Sequence, residues 1–129
     1  MNNANLIKTY RWVLLRHIGS PDDSRGIHFD FLLEDKEFCR TWRLSDIPLL
    51  DGPYVESVYI HPHKLEWLNI KEKFLSGNRG VATRIKSGVF FKSLPQKKSS
   101  TIKLTLYWEN IEVDLLIDNQ GCRISSKKY

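Results

Sequence analysis

The chain has 129 residues, 41% of them hydrophobic and 27% charged, with a formal net charge of +5. A chain of this length forms one ordinary domain and buries roughly two-thirds of its unfolded surface, so it needs neither disulfides nor a structural metal to fold. The composition excludes disordered, collagen-like and disulfide-framework classes, no apolar run approaches the length of a membrane span, and Cys39 and Cys122 are too few for a zinc knuckle.

In chain order, an N-terminal tail over residues 1–9 precedes a predicted strand at Tyr10–His17, which is aromatic and aliphatic. Residues 18–26 carry Gly, Pro, Asp and Ser and read as a loop. Ile27–Glu34 alternates with period two: Ile27, Phe29, Phe31 and Leu33 share one face, His28, Asp30, Leu32 and Glu34 the other. Glu37–Leu44 reads as its hairpin partner. Between Ser45 and Pro62 the prolines and Gly52 predict irregular chain with one short strand near Tyr54–Tyr59, and His63–Phe74 suits a short helix or a loop. Gly80–Lys86 is strand-like and is expected to turn at Ser87-Gly88. Thr101–Trp108 and Ile111–Ile117 alternate again around a tight turn at Glu109-Asn110, and a turn at Asp118–Gly121 leads into a last strand at Cys122–Ser125, before a tail over residues 126–129. Short strands separated by turn signals predict a mostly β domain over residues 10–125, a sandwich or small antiparallel barrel with short helical or irregular segments.

The sharpest local signal is His28-Phe29-Asp30. Residues two apart on a strand project from one face, about 6–7 Å apart along the backbone, so an imidazole and a carboxylate can converge on one cation. His17, ending the preceding strand, joins them if the two strands pair; two imidazoles and a carboxylate leave coordination positions open for substrate and water. The competing reading is that His-x-Asp is only the wet face of a half-buried sheet. Glu34 lies farther down that face, and His61-Pro62-His63 adds two imidazoles. Ser76–Gly80 is a glycine-rich turn holding Arg79, able to bind phosphate or to be a plain turn. Trp42 and Trp67 suit either base stacking or packing, whereas Trp108 belongs to the core.

The net charge favours phosphate-bearing partners or serves solubility alone; Lys97-Lys98 and Lys127-Lys128 read as solvated loop and tail. The first residues carry no basic segment followed by an apolar core, so a cytoplasmic location with both cysteines reduced and buried is expected.

Taken in order, Arg16-His17, His28-Phe29-Asp30-Phe31-Leu32-Leu33-Glu34, Arg40-Thr41-Trp42, His63–Trp67 and the run from Phe74 to Gly88 resemble the 3′-phosphoesterase domain of bacterial DNA ligase D, and more closely its small stand-alone members. The similarity covers roughly residues 10 to 117. It implies a compact β-barrel with a manganese-dependent site, other divalent ions remaining open, that trims nucleic-acid 3′ ends in DNA repair by removing a terminal ribonucleoside or a 3′-phosphate. His17, His28 and Asp30 match its metal ligands, His63 a histidine that contacts the phosphate, and Glu34 a carboxylate of the same motif. Three positions depart from the pattern: Leu32 stands where the family has a phosphate-binding Arg, Trp67 where a Tyr offers a hydroxyl, and Asp46 near the place of a Lys. Losing one charge-assisted donor costs about 1.5–3 kcal/mol unless another cation, Arg43 or Arg79, replaces it. The expected protein is a monomeric metal-dependent phosphoesterase with DNA or RNA-containing 3′ ends as substrates and no membrane association. Two alternatives stay open: a catalytically impaired module that binds nucleic-acid ends, and a partner domain for a separate ligase or primase.

Overall fold

The computed structural model describes residues 8–127 apart from residue 20 and residues 22–25, so much of the predicted loop after the first strand lies outside the described residues. Alternating apolar side chains dictate the architecture. The described residues form nine strands: β1 (Tyr10–Ile18), β2 (Ile27–Asp35), β3 (Phe38–Leu44), β4 (Val55–Lys64), β5 (Glu72–Phe74), β6 (Val81–Phe90), β7 (Ile102–Trp108), β8 (Ile111–Ile117) and β9 (Gly121–Ser126). Their hydrogen-bonded order is β1-β2-β3-β4-β9-β8-β7-β6-β5, and β1 also pairs with β6. The sheet therefore closes on itself in an antiparallel, barrel-like ring, which leaves few free edges. The mostly β expectation holds.

One face of the wall fills the interior. Trp12, Leu14, Phe29, Phe31, Leu33, Trp42, Leu44, Leu106 and Trp108 pack there with the inward residues of β8 and β9. Trp12 stacks between Phe31 and Trp108 at 5.3 and 5.1 Å. Trp42 and Trp108 are thus core residues. Cys39 and Cys122 are buried free thiols, as expected.

A second, smaller cluster lies on the opposite face of the same wall. Val13, Leu15, Leu32, Cys39 and Leu68 pack together under Leu65 and Trp67. Its cover is a single 3-10 turn, Leu65–Leu68. Arg11 holds that turn by donating to the Asn69 side chain at 2.6 Å and to the Leu68 carbonyl. The segment read as helix or loop is therefore the end of β4, this turn and the short β5.

Two expectations fail for identifiable reasons. The stretch up to Pro62 is not irregular throughout, because β4 runs ten residues straight across that proline. The register with β3 shifts between Cys39 and Thr41, so His61 and Pro62 together face the single residue Arg40. This is a β-bulge, where a residue without an N–H leaves no ladder bond unmade. Likewise Ser87-Gly88 does not turn; β6 continues to Phe90. A Cβ at Gly88 would stand 2.6 Å from the Tyr107 carbonyl oxygen and 2.8 Å from the Trp12 indole nitrogen, so the glycine serves close packing. The Glu109-Asn110 turn does form, with both residues at positive φ, 52° and 71°, as a two-residue hairpin of the primed type requires.

The basic loop and tail are also tied down more than their composition suggests. Arg40, only 2% exposed, donates to Asp35 at 2.8 and 3.0 Å and to the Pro95 carbonyl at 2.6 Å. Lys98 reaches the same Asp35 oxygen at 3.0 Å. Lys127 donates to Thr105 at 2.7 Å, and Lys128 lies outside the described residues. No helix among the described residues is long and apolar enough to cross a membrane.

Candidate metal centre

Pairing of β1 with β2 sets His17 directly opposite His28. Opposed residues of an antiparallel pair project from the same face. Asp30, two residues on, shares that face, which is the outer one because Phe29 and Phe31 point into the core. Ligand atoms of His17, His28 and Asp30 all lie within 4.8 Å of one another. The two imidazoles meet edge to face at 4.8 Å between centroids, and His28 Nε2 is 3.5 Å from Asp30 Oδ2. His28 and Asp30 are 4% and 5% exposed, so the set is mostly withdrawn from water.

The surroundings fit a cation. Asp30 Oδ1 is buried and takes no hydrogen bond from the described residues, and the positive charge that faces this oxygen is the Arg43 guanidinium. Asp30 has Arg43 Nε at 3.6 Å and His63 Nε2 at 3.9 Å. The ring of His17 is oriented from behind: its Nε2–H donates to the Arg79 carbonyl at 2.8 Å. That bond fixes the tautomer and leaves the lone pair on Nδ1, the arrangement found behind most metal-ligating histidines.

The glycine-rich turn thus contributes its backbone. Gly80 has φ 93°, and a Cβ there would fall 2.0 Å from the Ile18 carbonyl oxygen. Only glycine lets the turn lie against the end of β1, and that approach is what brings the Arg79 carbonyl to His17. The Arg79 guanidinium bends back onto its own turn, with Nε donating to the Ser76 carbonyl at 2.8 Å and a terminal nitrogen to the Ser76 hydroxyl at 3.1 Å. Arg43, not Arg79, is the guanidinium beside Asp30.

His63 sits across β3 from the metal ligands, opposite Cys39 in register. Its ring meets Trp67 edge to face at 6.0 Å and stacks with His61 at 6.2 Å. Burial is the largest influence on this imidazole and lowers its pKa; the Asp30 carboxylate pulls the other way, while His61 and Arg43 add to the lowering. The net result is below the ordinary 6.5, so His63 is neutral at neutral pH.

Glu34 is not gathered with these groups. It stands opposite Cys39 on β3, and its Oε1 accepts the Arg11 backbone N–H at 2.7 Å. Leu32 is fully buried in the outer cluster. Asp46 is exposed and caps its own neighbour, accepting the Ile47 N–H at 2.8 Å. The Arg79 carbonyl was invisible to side-chain reasoning; the paired glycines around it, Gly77 and Gly80, were its only signal.

Two imidazoles and one carboxylate on a half-enclosed face, beside a guanidinium and a neutral imidazole, form a site able to hold a divalent metal and an anion next to it. No protein-family model and no curated protein matches the chain.

Proposed function

We propose that the protein is a metal-dependent phosphoesterase acting on nucleic-acid 3′ ends, removing a 3′-phosphate or a 3′-terminal ribonucleoside. One observation carries the reading: His17, His28 and Asp30 bring their ligand atoms within 4.8 Å, with Arg43 and His63 both facing the same Asp30 carboxylate. Mn2+ is the metal that the resemblance to the DNA ligase D phosphoesterase domain implies, and two imidazoles with one carboxylate would also hold other divalent ions.

When bound, the metal supplies Lewis-acid polarisation of a phosphoryl oxygen. The chain's own residues do the rest. Arg43 offers guanidinium N–H donors to the phosphate oxygens from the position next to Asp30. His63, with Nε2 3.9 Å from Asp30, is able to bind a phosphoryl oxygen or to assist proton transfer beside the metal ligands. The Arg79 carbonyl keeps His17 in one tautomer throughout. Resemblance to the 3′-phosphoesterase domain of DNA ligase D supports the order of these residues. The basic net charge suits a polyanionic substrate.

The test is a primer–template ending in a 3′-phosphate or a single 3′-ribonucleotide, incubated with and without Mn2+, beside a His17→Ala/His28→Ala double variant. Shortening or dephosphorylation that requires both the metal and the histidines is the expected result. Full metal-dependent turnover in the double variant sinks the assignment of the site. Metal binding and salt-dependent nucleic-acid binding without any turnover would replace the enzyme with an end-binding module.

A further inference from the structure

Lys73 stands in the same cross-strand row as the two histidines of the candidate metal centre. The row runs from His28 on β2 to His17 on β1, Ala82 on β6 and Lys73 on β5. Directly opposed residues project from one face, so Lys73 shares the outer face with the metal ligands. Two strand spacings separate its backbone from that of His17, about 10 Å.

The ammonium of Lys73 is positioned. Its Nζ lies 5.4 Å from the centroid of the Trp67 ring. Trp67 contacts His63 edge to face at 6.0 Å, and His63 Nε2 is 3.9 Å from Asp30. Asp30, His63, Trp67 and Lys73 therefore line one continuous wall leading away from the metal ligands. The 3-10 turn that carries Trp67 is itself fixed, by Arg11 and by Arg84, which donates to the Leu68 carbonyl at 3.4 Å.

Several other cations are held in ion pairs away from this wall. Arg40 and Lys98 pair with Asp35, Lys86 with Glu109, and Lys127 lies near Asp114. Lys73 is exposed and forms no ion pair among the described residues. An indole has no hydroxyl to offer a phosphate, but its π face attracts a cation and restrains a flexible stem.

We propose that Lys73, held by Trp67, binds a backbone phosphate one nucleotide inward from the reacting 3′ end, so that the substrate is an oligonucleotide end and not a free nucleotide. This rests on the phosphoesterase reading of the metal site. The order of contacts supports it: His63 and Trp67 stand between Asp30 and the Lys73 ammonium along that wall, which suits a second phosphate of a strand lying on it.

The test compares wild type, Lys73→Met and Lys73→Arg with Mn2+ present. Fluorescence anisotropy over a salt series measures binding of a short 3′-phosphorylated single strand, and competition measures a nucleoside 3′-monophosphate. Lys73→Met should weaken oligonucleotide binding about tenfold and flatten the logarithmic salt slope by about 0.7, the value of one phosphate contact on a single strand. Mononucleotide binding should stay unchanged, and Lys73→Arg should restore the oligonucleotide. Equal loss on both ligands would assign Lys73 to the terminal phosphate and overturn the proposal, as would no loss on either. Wild type that turns over the oligonucleotide, with Lys73→Met indistinguishable from it, refutes this inference and leaves the phosphoesterase reading standing. Wild type without turnover, but with Lys73-dependent oligonucleotide binding, removes catalysis and keeps the phosphate contact.

Discussion

Replacing Leu32 by alanine separates packing from chemistry on the face of β2 that also carries His28 and Asp30. Leu32 is fully buried, and its neighbours Val13, Leu15, Cys39 and Leu68 are almost fully so. Truncating a buried leucine costs 2–5 kcal/mol, and a cluster roofed by one short turn can partly collapse, so a loss of about 3 kcal/mol is expected. For a domain of this size that loss lowers the melting temperature by roughly 10 °C. Urea denaturation followed by circular dichroism should show the midpoint falling with the m-value unchanged. Mn2+ affinity, measured by titration calorimetry at a temperature where both proteins are folded, should not change, because none of the candidate ligands His17, His28 and Asp30 belongs to this cluster. A loss below about 0.5 kcal/mol, the scale of an ordinary surface change, would refute the claim that this face holds a packed cluster. A large loss of metal affinity would refute its independence from the site.

Gly80→Ala places a methyl group 2.0 Å from the Ile18 carbonyl oxygen. The turn must move and the Arg79 carbonyl must leave His17, so calorimetric Mn2+ affinity should fall about 10- to 100-fold, the usual cost of losing a group that orients a ligand. Asp35→Asn leaves the buried Arg40 guanidinium without its counter-ion and should cost about 3 kcal/mol in urea denaturation. Burial opposes ionisation of Asp35, but hydrogen bonds from Lys98 and Arg40 outweigh it and hold the carboxyl below its ordinary 3.8. The stability it contributes is therefore present above that value and lost as pH falls through the folded-state pKa. The acid limb of a stability–pH profile should flatten in the variant. Burial pushes the thiols of Cys39 and Cys122 up to about 12. Neither should react with a thiol reagent at mildly alkaline pH until the protein is unfolded, which a colorimetric thiol assay with and without denaturant measures.

The strands were legible wherever one face is apolar and the other polar. β7 and β8 alternate clearly, as does β2 apart from Leu32, and their inward residues are among those that fill the interior. What sequence reading missed depends on contacts with distant chain. Pro62 signals a break in isolation, yet a bulge against Arg40 absorbs it. Gly88 signals a turn in isolation, yet it makes room for Trp12. His17 and His28 were linked by nothing in the sequence beyond the condition that their strands pair, and the register met that condition. The smaller outer cluster was hidden for another reason: its members come from β1, β2, β3 and the 3-10 turn, one or two residues each, too few in any segment to leave a periodic mark.

That outer cluster occupies the place of Leu32 with packed apolar side chains and leaves no room there for a cation. The interior side of β1 and β2 is filled by aromatic rings, so polar ligands have room only on the outer face. Of the four outward residues that β2 offers, His28 and Asp30 go to the candidate metal centre, while Leu32 is covered by the 3-10 turn. Covering Leu32 seats Trp67 beside His63 and fixes the place over which Lys73 lies. An arginine at that position would have to sit beneath the turn, desolvated and unpaired, at a cost of several kcal/mol. Arg43 comes instead from β3, opposite Asp30 in register, and keeps its side chain 41% exposed. Both cations thus approach the candidate phosphate path from the solvent side, where a guanidinium and an ammonium keep part of their hydration until substrate arrives.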